Sequence, residues 1–161
     1  VTATLHLLCG KIAAGKSTLA AELARQPNTV SISEDFWLAR LYPGEILTLE
    51  DQARCSARLC EALAPHLVDL LHNGLSVVLD FHANTPRRRA WMRGIIDQSG
   101  AAHKLHHLDM SDEACLARLH RRNEAGTHEY VVSDAEFEQF TRHFVAPAPD
   151  EGFDVVVHRA T

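Results

Sequence analysis

The chain has 161 residues, 46% of them hydrophobic, which suits one domain over residues 1–161 with a substantial core. A formal net charge of −5 argues against general affinity for nucleic acid or membrane surfaces, and no apolar run approaches the length of a membrane span. Cys9, Cys55, Cys60 and Cys115 are scattered with no C-x-x-C pair, as expected of reduced packing thiols in a cytoplasmic protein.

Strand and helix patterns alternate from the start. Val1 stands where a start Met would, as in a trimmed sequence, and no charged region with a signal-like core follows. Thr4–Cys9 is a short apolar run and reads as the first strand. Gly10-Lys11-Ile12-Ala13-Ala14-Gly15-Lys16-Ser17 comes next, a G-x-x-x-x-G-K-S segment opening a helical run to about Arg25. Gly10 and Gly15 let the backbone curl, so that the N–H groups of Ala13, Ala14, Gly15, Lys16, Ser17 and Thr18 surround a phosphate at a helix N-terminus. Lys16 would reach the β- and γ-phosphates of a nucleoside triphosphate, and Ser17 would hold Mg²⁺.

Thr29–Ser33 is the second predicted strand. A long helix runs from about Thr48 to His72, with Thr48-Leu49-Glu50-Asp51 as a capping box, Asn73-Gly74 as its stop and Pro65 as an expected kink. Ser76–Phe81 is the third strand, and Thr85-Pro86 starts a helix ending near Gly100. Ala102–Leu108 is the fourth strand; a helix from Ser111 reaches about Asn123, and another from Ser133 reaches about Phe144. Ala146–Gly152 reads as a loop before a last strand, Phe153–His158. Such alternation predicts an α/β fold, a parallel sheet between two layers of helices. The 11 histidines show no metal-ligand spacing, and His106 and His107 point to opposite sides of their strand, so they read as structural.

Ligands of such sheets gather at the carboxyl ends of the strands. The second strand ends in Ser33-Glu34-Asp35, where Asp35 is placed to take a hydroxyl proton; the alternative for Asp35, and more so for Glu34, is capping of the short helix that follows. Val77-Val78-Leu79-Asp80 closes the third strand on a carboxylate suited to Mg²⁺ or to Ser17, or else to a purely structural hydrogen bond. Arg87, Arg88 and Arg89 in a first helical turn oppose the helix dipole at roughly 0.3–1 kcal/mol each if exposed. At least one is therefore expected to have an anionic partner, unless all are solvated. Arg118, Arg121 and Arg122 share a helical face before the polar stretch 123–129, as an arginine-bearing lid would, or a salt-bridged surface helix with Asp112, Glu113 and Glu124.

Together these pieces resemble the P-loop NTPases. Gly10–Ser17, Ser33-Glu34-Asp35, Leu79-Asp80, Thr85-Pro86-Arg87-Arg88-Arg89 and the arginines at 118, 121 and 122 are similar to the small P-loop kinases. The nearest likeness is to the group of chloramphenicol phosphotransferase, zeta-toxin kinases and polynucleotide-kinase-like proteins. The resemblance implies a three-layer sandwich with a five-stranded parallel sheet in the order 2-3-1-4-5 and an arginine-bearing lid. It also implies transfer of the ATP γ-phosphate to a hydroxyl, with Mg²⁺ at Ser17 and Asp80. Asp35 and Lys16 would be catalytic with Arg118 and Arg122, and Arg118 and Arg121 would contact the nucleotide. The sequence departs from relatives at Lys11 and Ala13, and its Asn84 falls one residue late after Leu79-Asp80.

The acceptor is expected to be a hydroxylated small molecule. Glu34, Asp35, Asp134, Glu136 and Glu138 would flank the site, together with Glu50, Asp51, Glu61, Arg54 and Arg58 of the long helix, which suits a cationic acceptor such as an aminoglycoside. A nucleoside or nucleotide kinase is the alternative within the same chemistry. A P-loop ATPase or binding module acting on a protein partner is the alternative outside it. A guanine-nucleotide switch is disfavoured, since no N-K-x-D follows a strand and Asp97-Gln98-Ser99-Gly100 closes a helix.

Overall fold

Val77, Val78 and Leu79 are consecutive and fully buried. A strand can bury successive residues only if both faces of its sheet are covered, because they point to opposite sides. In the computed structural model, which describes residues 3–126 and 131–159, they lie in β3 (Ser76–His82) near the middle of a five-stranded parallel sheet. Its other strands are β1 (Thr4–Cys9), β2 (Thr29–Ser33), β4 (Ala102–Asp109) and β5 (Val155–Arg159), in the order β2-β3-β1-β4-β5. The fold is the expected α/β sandwich with that strand order.

Helices α2 (Glu34–Leu41), α3 (Leu49–His72) and α4 (Pro86–Ser99) cover one face. Leu59, Leu63, Leu67 and Leu71 of α3 and Met92, Ile95 and Ile96 of α4 pack there against Leu5, Leu7, Val77 and Leu79. Helix α1 (Lys16–Leu23) covers the other face through Ala20, against Leu8 and Val78. Helices α5 (Asp112–Ala125) and α6 (Asp134–His143) gather Cys115, Leu119 and Phe137 on Leu108 and Ala14 of the loop after β1.

The helix starts follow from short-range hydrogen bonds. Thr48 accepts from the Asp51 amide at 3.0 Å, and the Asp51 carboxylate accepts from the Thr48 amide at 3.2 Å. Thr85, Ser111 and Ser133 cap α4, α5 and α6, and Ser33 caps α2 by accepting from Phe36 N at 3.3 Å. Glu34 and Asp35 are thus not the caps. Pro65 does not interrupt α3: it sits on the exposed side, where water can reach the carbonyl it leaves unbonded, while Leu63 and Leu67 stay in the core. Boundaries shift slightly: β3 and β4 run one residue further than expected, β5 spans Val155–Arg159, and Pro149–Glu151 forms a 3₁₀ turn within the expected loop.

Three histidines form a hydrogen-bonded row across β1, β4 and β5. His6 Nδ1 lies 3.1 Å from His106 Nε2, and His106 Nδ1 lies 3.0 Å from His158 Nε2. Each contact needs one N–H and one lone pair, so neutral rings in matched tautomers satisfy both. Burial lowers the pKa of His6 below its usual 6.5 and that of His106 to about 4, with nearby Lys104 adding to both. His82 is also lowered to about 4, by burial first and then by Arg88.

Unfolded, these groups take up protons near pH 6.5, whereas the fold resists protonation until about 4. Their contribution is fully present above pH 6.5 and is lost as pH falls toward 4, at about 1.4 kcal/mol per pH unit for each proton bound only by the unfolded chain. Asp35, whose pKa is raised, works in the opposite sense. Thermal melts from about pH 7 to about pH 5 should show a falling midpoint. A midpoint that rises toward pH 5 would mean that these histidines do not outweigh the opposing titration of Asp35.

Candidate functional site

Packing sets the shape of the loop between β1 and α1. A Cβ on Gly10 would meet Ala14 Cβ at 3.2 Å and the Leu108 backbone oxygen at 3.3 Å, so a side chain there would force its neighbours to give way. Gly15 has a φ of 106°, a left-handed conformation that turns the chain into α1. Asn84, just past β3, holds Gly10 through both of its backbone polar groups: its Oδ1 accepts from Gly10 N at 2.9 Å and its Nδ2 donates to Gly10 O at 2.8 Å. The displaced asparagine therefore braces the cradle. Lys16 Nζ donates to the carbonyls of Gly10 at 2.5 Å and Lys11 at 2.9 Å, crossing the mouth of the loop. Burial lowers its pKa, while Asp80 and other anionic groups pull it back up. A lysine ammonium beside the N-terminus of α1 is the kind of arrangement that attracts phosphate.

Parallel pairing brings the strand ends together. Ser33 stands opposite Asp80 in the β2–β3 register. The Asp80 carboxylate accepts a hydrogen bond of 3.2 Å from Ser17 Oγ at the start of α1. Asp35 occupies the first turn of α2, and its pKa is pushed up to about 6, by burial first and then by the Glu34 and Asp80 carboxylates, against the pull of Lys16 and Arg122. A carboxyl held above its usual range is suited to accepting a proton.

Glu34 has a different occupation. It is buried and accepts two hydrogen bonds of 3.1 Å from Arg88 and one from Ser56 of α3, while Arg88 also donates to Ser56 at 2.8 Å. Arg89, buried as well, donates to Glu151 at 2.9 Å and to the carbonyls of Ala83 and Val145 at 2.8 Å each, tying the chain before β5 to α4. Two of the three arginines thus have the anionic partner their unfavourable helix position called for, and Arg87 is exposed.

On α5 the arginines divide. Arg118 Nη1 donates to the Ala14 carbonyl at 3.2 Å, resting against the cradle. Arg122 is half-buried in the same cavity; burial lowers its pKa, opposed by Asp35. Among the described residues, its Nε has no hydrogen-bond partner. Arg121 is exposed and does not line the cavity. Asp112, a suggested partner for these arginines, pairs with Lys11 at 2.5 Å. Of the polar stretch 123–129, residues 127–129 lie outside the described residues; Asn123 bridges across it, donating to the Val132 carbonyl at 2.7 Å.

The cradle from Lys11 to Thr18, Asp35, Asp80, Arg118 and Arg122 open on one cavity of about 1060 Å³. Gly10 lies just behind it. The segment Ile46–Leu49 with Gln52 forms another wall, and Val131, Val132 and the α6 residues Glu136 and Phe140 form a third. Neither wall was marked by a motif; an unpaired apolar stretch before the Thr48 cap was the available signal. Arg54, Arg58, Glu50, Asp51 and Glu61 do not line the cavity, Arg54 pairing with Asp51 at 3.1 Å. Asp134 bonds His120 at 2.7 Å and, with Glu138, borders a separate surface depression. The acidic flank expected around the acceptor is therefore reduced to Glu34, Asp35 and Glu136.

A protein-family model described as an AAA domain matches residues 5–147. No curated protein matches the chain. Among solved structures, a candidate kinase from Chloroflexus aurantiacus has a TM-score of 0.77 at 20% identity, covering 98% of this chain and 85% of that one. Kti12 of Chaetomium thermophilum, in complex with ADP-AlF3, has a TM-score of 0.71 at 16% identity over 96% and 88% of the two chains. A sugar kinase from Janibacter sp. HTCC2649 has a TM-score of 0.65 at 18% identity over 99% and 86%. At such identities the likeness is one of fold, a P-loop kinase-like α/β sandwich.

Proposed function

The chain belongs to this AAA-domain family and has a P-loop kinase-like fold, and from that premise we propose that it transfers the γ-phosphate of ATP to a hydroxyl of a small molecule. The observation that carries the reading is a juxtaposition: Asp35, with a pKa near 6, opens on the same cavity as Lys16 and the Ser17–Asp80 pair. Within the family, the Ser33-Glu34-Asp35 and Thr85-Pro86 elements favour the chloramphenicol phosphotransferase, zeta-toxin and polynucleotide-kinase-like group, and the acceptor can be an antibiotic alcohol.

The amides of the cradle and the Lys16 ammonium bind the phosphates and offset charge gathering on the oxygens of the transferring group. Ser17 Oγ and the Asp80 carboxylate are hard oxygen donors that fit Mg²⁺, which supplies further charge neutralisation on the phosphates when bound. Asp35 orients the acceptor hydroxyl and takes its proton as the new phosphorus–oxygen bond forms. The bond from the γ-phosphorus to the bridging oxygen breaks, and its electron pair leaves with ADP. Arg122 and Arg118 border the same space and supply positive charge as it closes.

With γ-labelled ATP and a panel of hydroxylated acceptors, the label should appear in an acceptor-dependent product. Inorganic phosphate released regardless of acceptor would instead indicate an ATPase working on a protein partner. The α5 arginines offer a second check. Arg122→Ala should lower turnover by about 10²-fold, the scale for losing one donor to a charged transition state. Arg121→Ala should stay near wild type in rate and within about 0.5 kcal/mol in stability, as for an exposed site. Equal and trivial effects at Arg118, Arg121 and Arg122 would move the lid elsewhere.

A further inference from the structure

Four large apolar side chains lining the cavity are open to solvent: Leu47 at 82% exposure, Val131 at 72%, Leu49 at 38% and Phe140 at 36%. Leu47 and Leu49 stand on the wall before and within the first turn of α3; Val131 and Phe140 stand on the wall around α6. Scattered exposed leucines are ordinary, but apolar residues facing into one cavity beside a candidate base need a covering partner. The charged groups at that end are already engaged. Glu34 is matched by Arg88 and Ser56 within the fold. The cations among the described residues that line the cavity are Lys11, Lys16, Arg118, Arg122 and Arg159: Lys11 pairs with Asp112, Arg159 pairs with Asp109, Lys16 and Arg118 donate to carbonyls of the cradle, and Arg122 lies in the field of Asp35. His82, which does line it, stays neutral well below pH 6.5 because it is buried beside Arg88.

A phosphate- or carboxylate-bearing acceptor would compete for these cations with the cradle, their carboxylate partners and the ATP phosphates, and a polycation would find Glu34 held by Arg88 and Asp80 by Ser17. We infer that the acceptor is an uncharged alcohol with an apolar body, its hydroxyl directed to Asp35 and its body covered by Leu47, Leu49, Val131 and Phe140. This rests on the phosphotransfer reading above and narrows it. Buried against such a body, these side chains leave water, and the hydroxyl end retains the polar contacts that fix its orientation.

The test uses four probes that differ in body and charge: glucose, octyl β-glucoside below its micelle concentration, glucose 6-phosphate and kanamycin. Each is titrated by calorimetry into the full chain with Mg²⁺ and a non-hydrolysable ATP analogue. Octyl β-glucoside should bind at least about tenfold more tightly than glucose, the scale for covering one or two apolar side chains. Leu47→Ser and Val131→Ser, both at exposed positions that the core does not need, should each reduce that advantage by about tenfold and leave glucose unchanged. Tighter binding of glucose 6-phosphate or kanamycin, or no gain from the octyl chain, would overturn the inference while phosphotransfer stands. Failure of the ATP analogue itself to bind would remove both.

Discussion

Asp35→Asn should bind ATP as the wild type does and turn over roughly 10²-fold or more slowly, the usual scale for a positioned base. Asparagine keeps the shape and most of the hydrogen bonding and loses the basicity. The pH profile makes the test sharper. With a pKa near 6, Asp35 is protonated and inactive as a base on the acid side, so kcat/KM should fall by about tenfold per pH unit below about pH 6. In the asparagine variant that limb should disappear. Glu34→Gln provides the contrast. Its charge is one cause of the raised Asp35 pKa, so the limb should move to lower pH while turnover at neutral pH is largely kept. Stability should suffer, because Arg88 loses a buried partner; breaking such a pair costs up to about 3–5 kcal/mol, and less where glutamine keeps a hydrogen bond. An inactive Glu34→Gln beside a fully active Asp35→Asn would exchange the roles of the two carboxyl groups.

Lys16→Ala should lose roughly 10²–10³-fold in turnover and bind nucleotide more weakly, since its ammonium lies across the mouth of the loop. The sequence alone suggests an open-loop lysine whose removal leaves folding untouched. In the fold it satisfies the carbonyls of Gly10 and Lys11, so its loss should cost about 1 kcal/mol and lower the melting midpoint by about 2–4 °C. Unchanged turnover in this variant would remove the phosphotransfer reading. Unchanged stability would mean that water replaces the ammonium at the two carbonyls.

Much of this protein is determined within windows of a few residues. Thr48 with Asp51, Ser133 with Glu136, and Thr85 before Pro86 start helices through hydrogen bonds that close over three or four positions, so the order of residues suffices to place them. Gly10, Gly15, Lys16 and Ser17 belong to the same class, because the curl of the loop is a local backbone property. The apolar runs of the strands, buried on both faces, likewise announce a covered parallel sheet.

Contacts between residues far apart were a different matter. Glu34 next to Asp35 reads as a cap of the short helix until Ser56 and Arg88, 22 and 54 positions away, fold around it. Asn84 looks like a misplaced motif residue until it meets Gly10 across 74 positions. Arg118, Arg121 and Arg122 are equivalent in spacing, and only the docking of α5 on the cradle separates the two that border the cavity from the one that faces water. The flanking carboxylates that suggested a cationic acceptor were adjacent in the sequence to the right elements, yet Asp134 and Glu138 point into another depression. Sequence by itself determined the glycine-bearing loop after β1, the strand ends and the helix starts, because backbone periodicity and capping are short-range. Tertiary structure decided which carboxylate is paired, which arginine bears on the site and which walls stay apolar, because charge pairing and burial depend on neighbours that only the assembled sheet and helices supply.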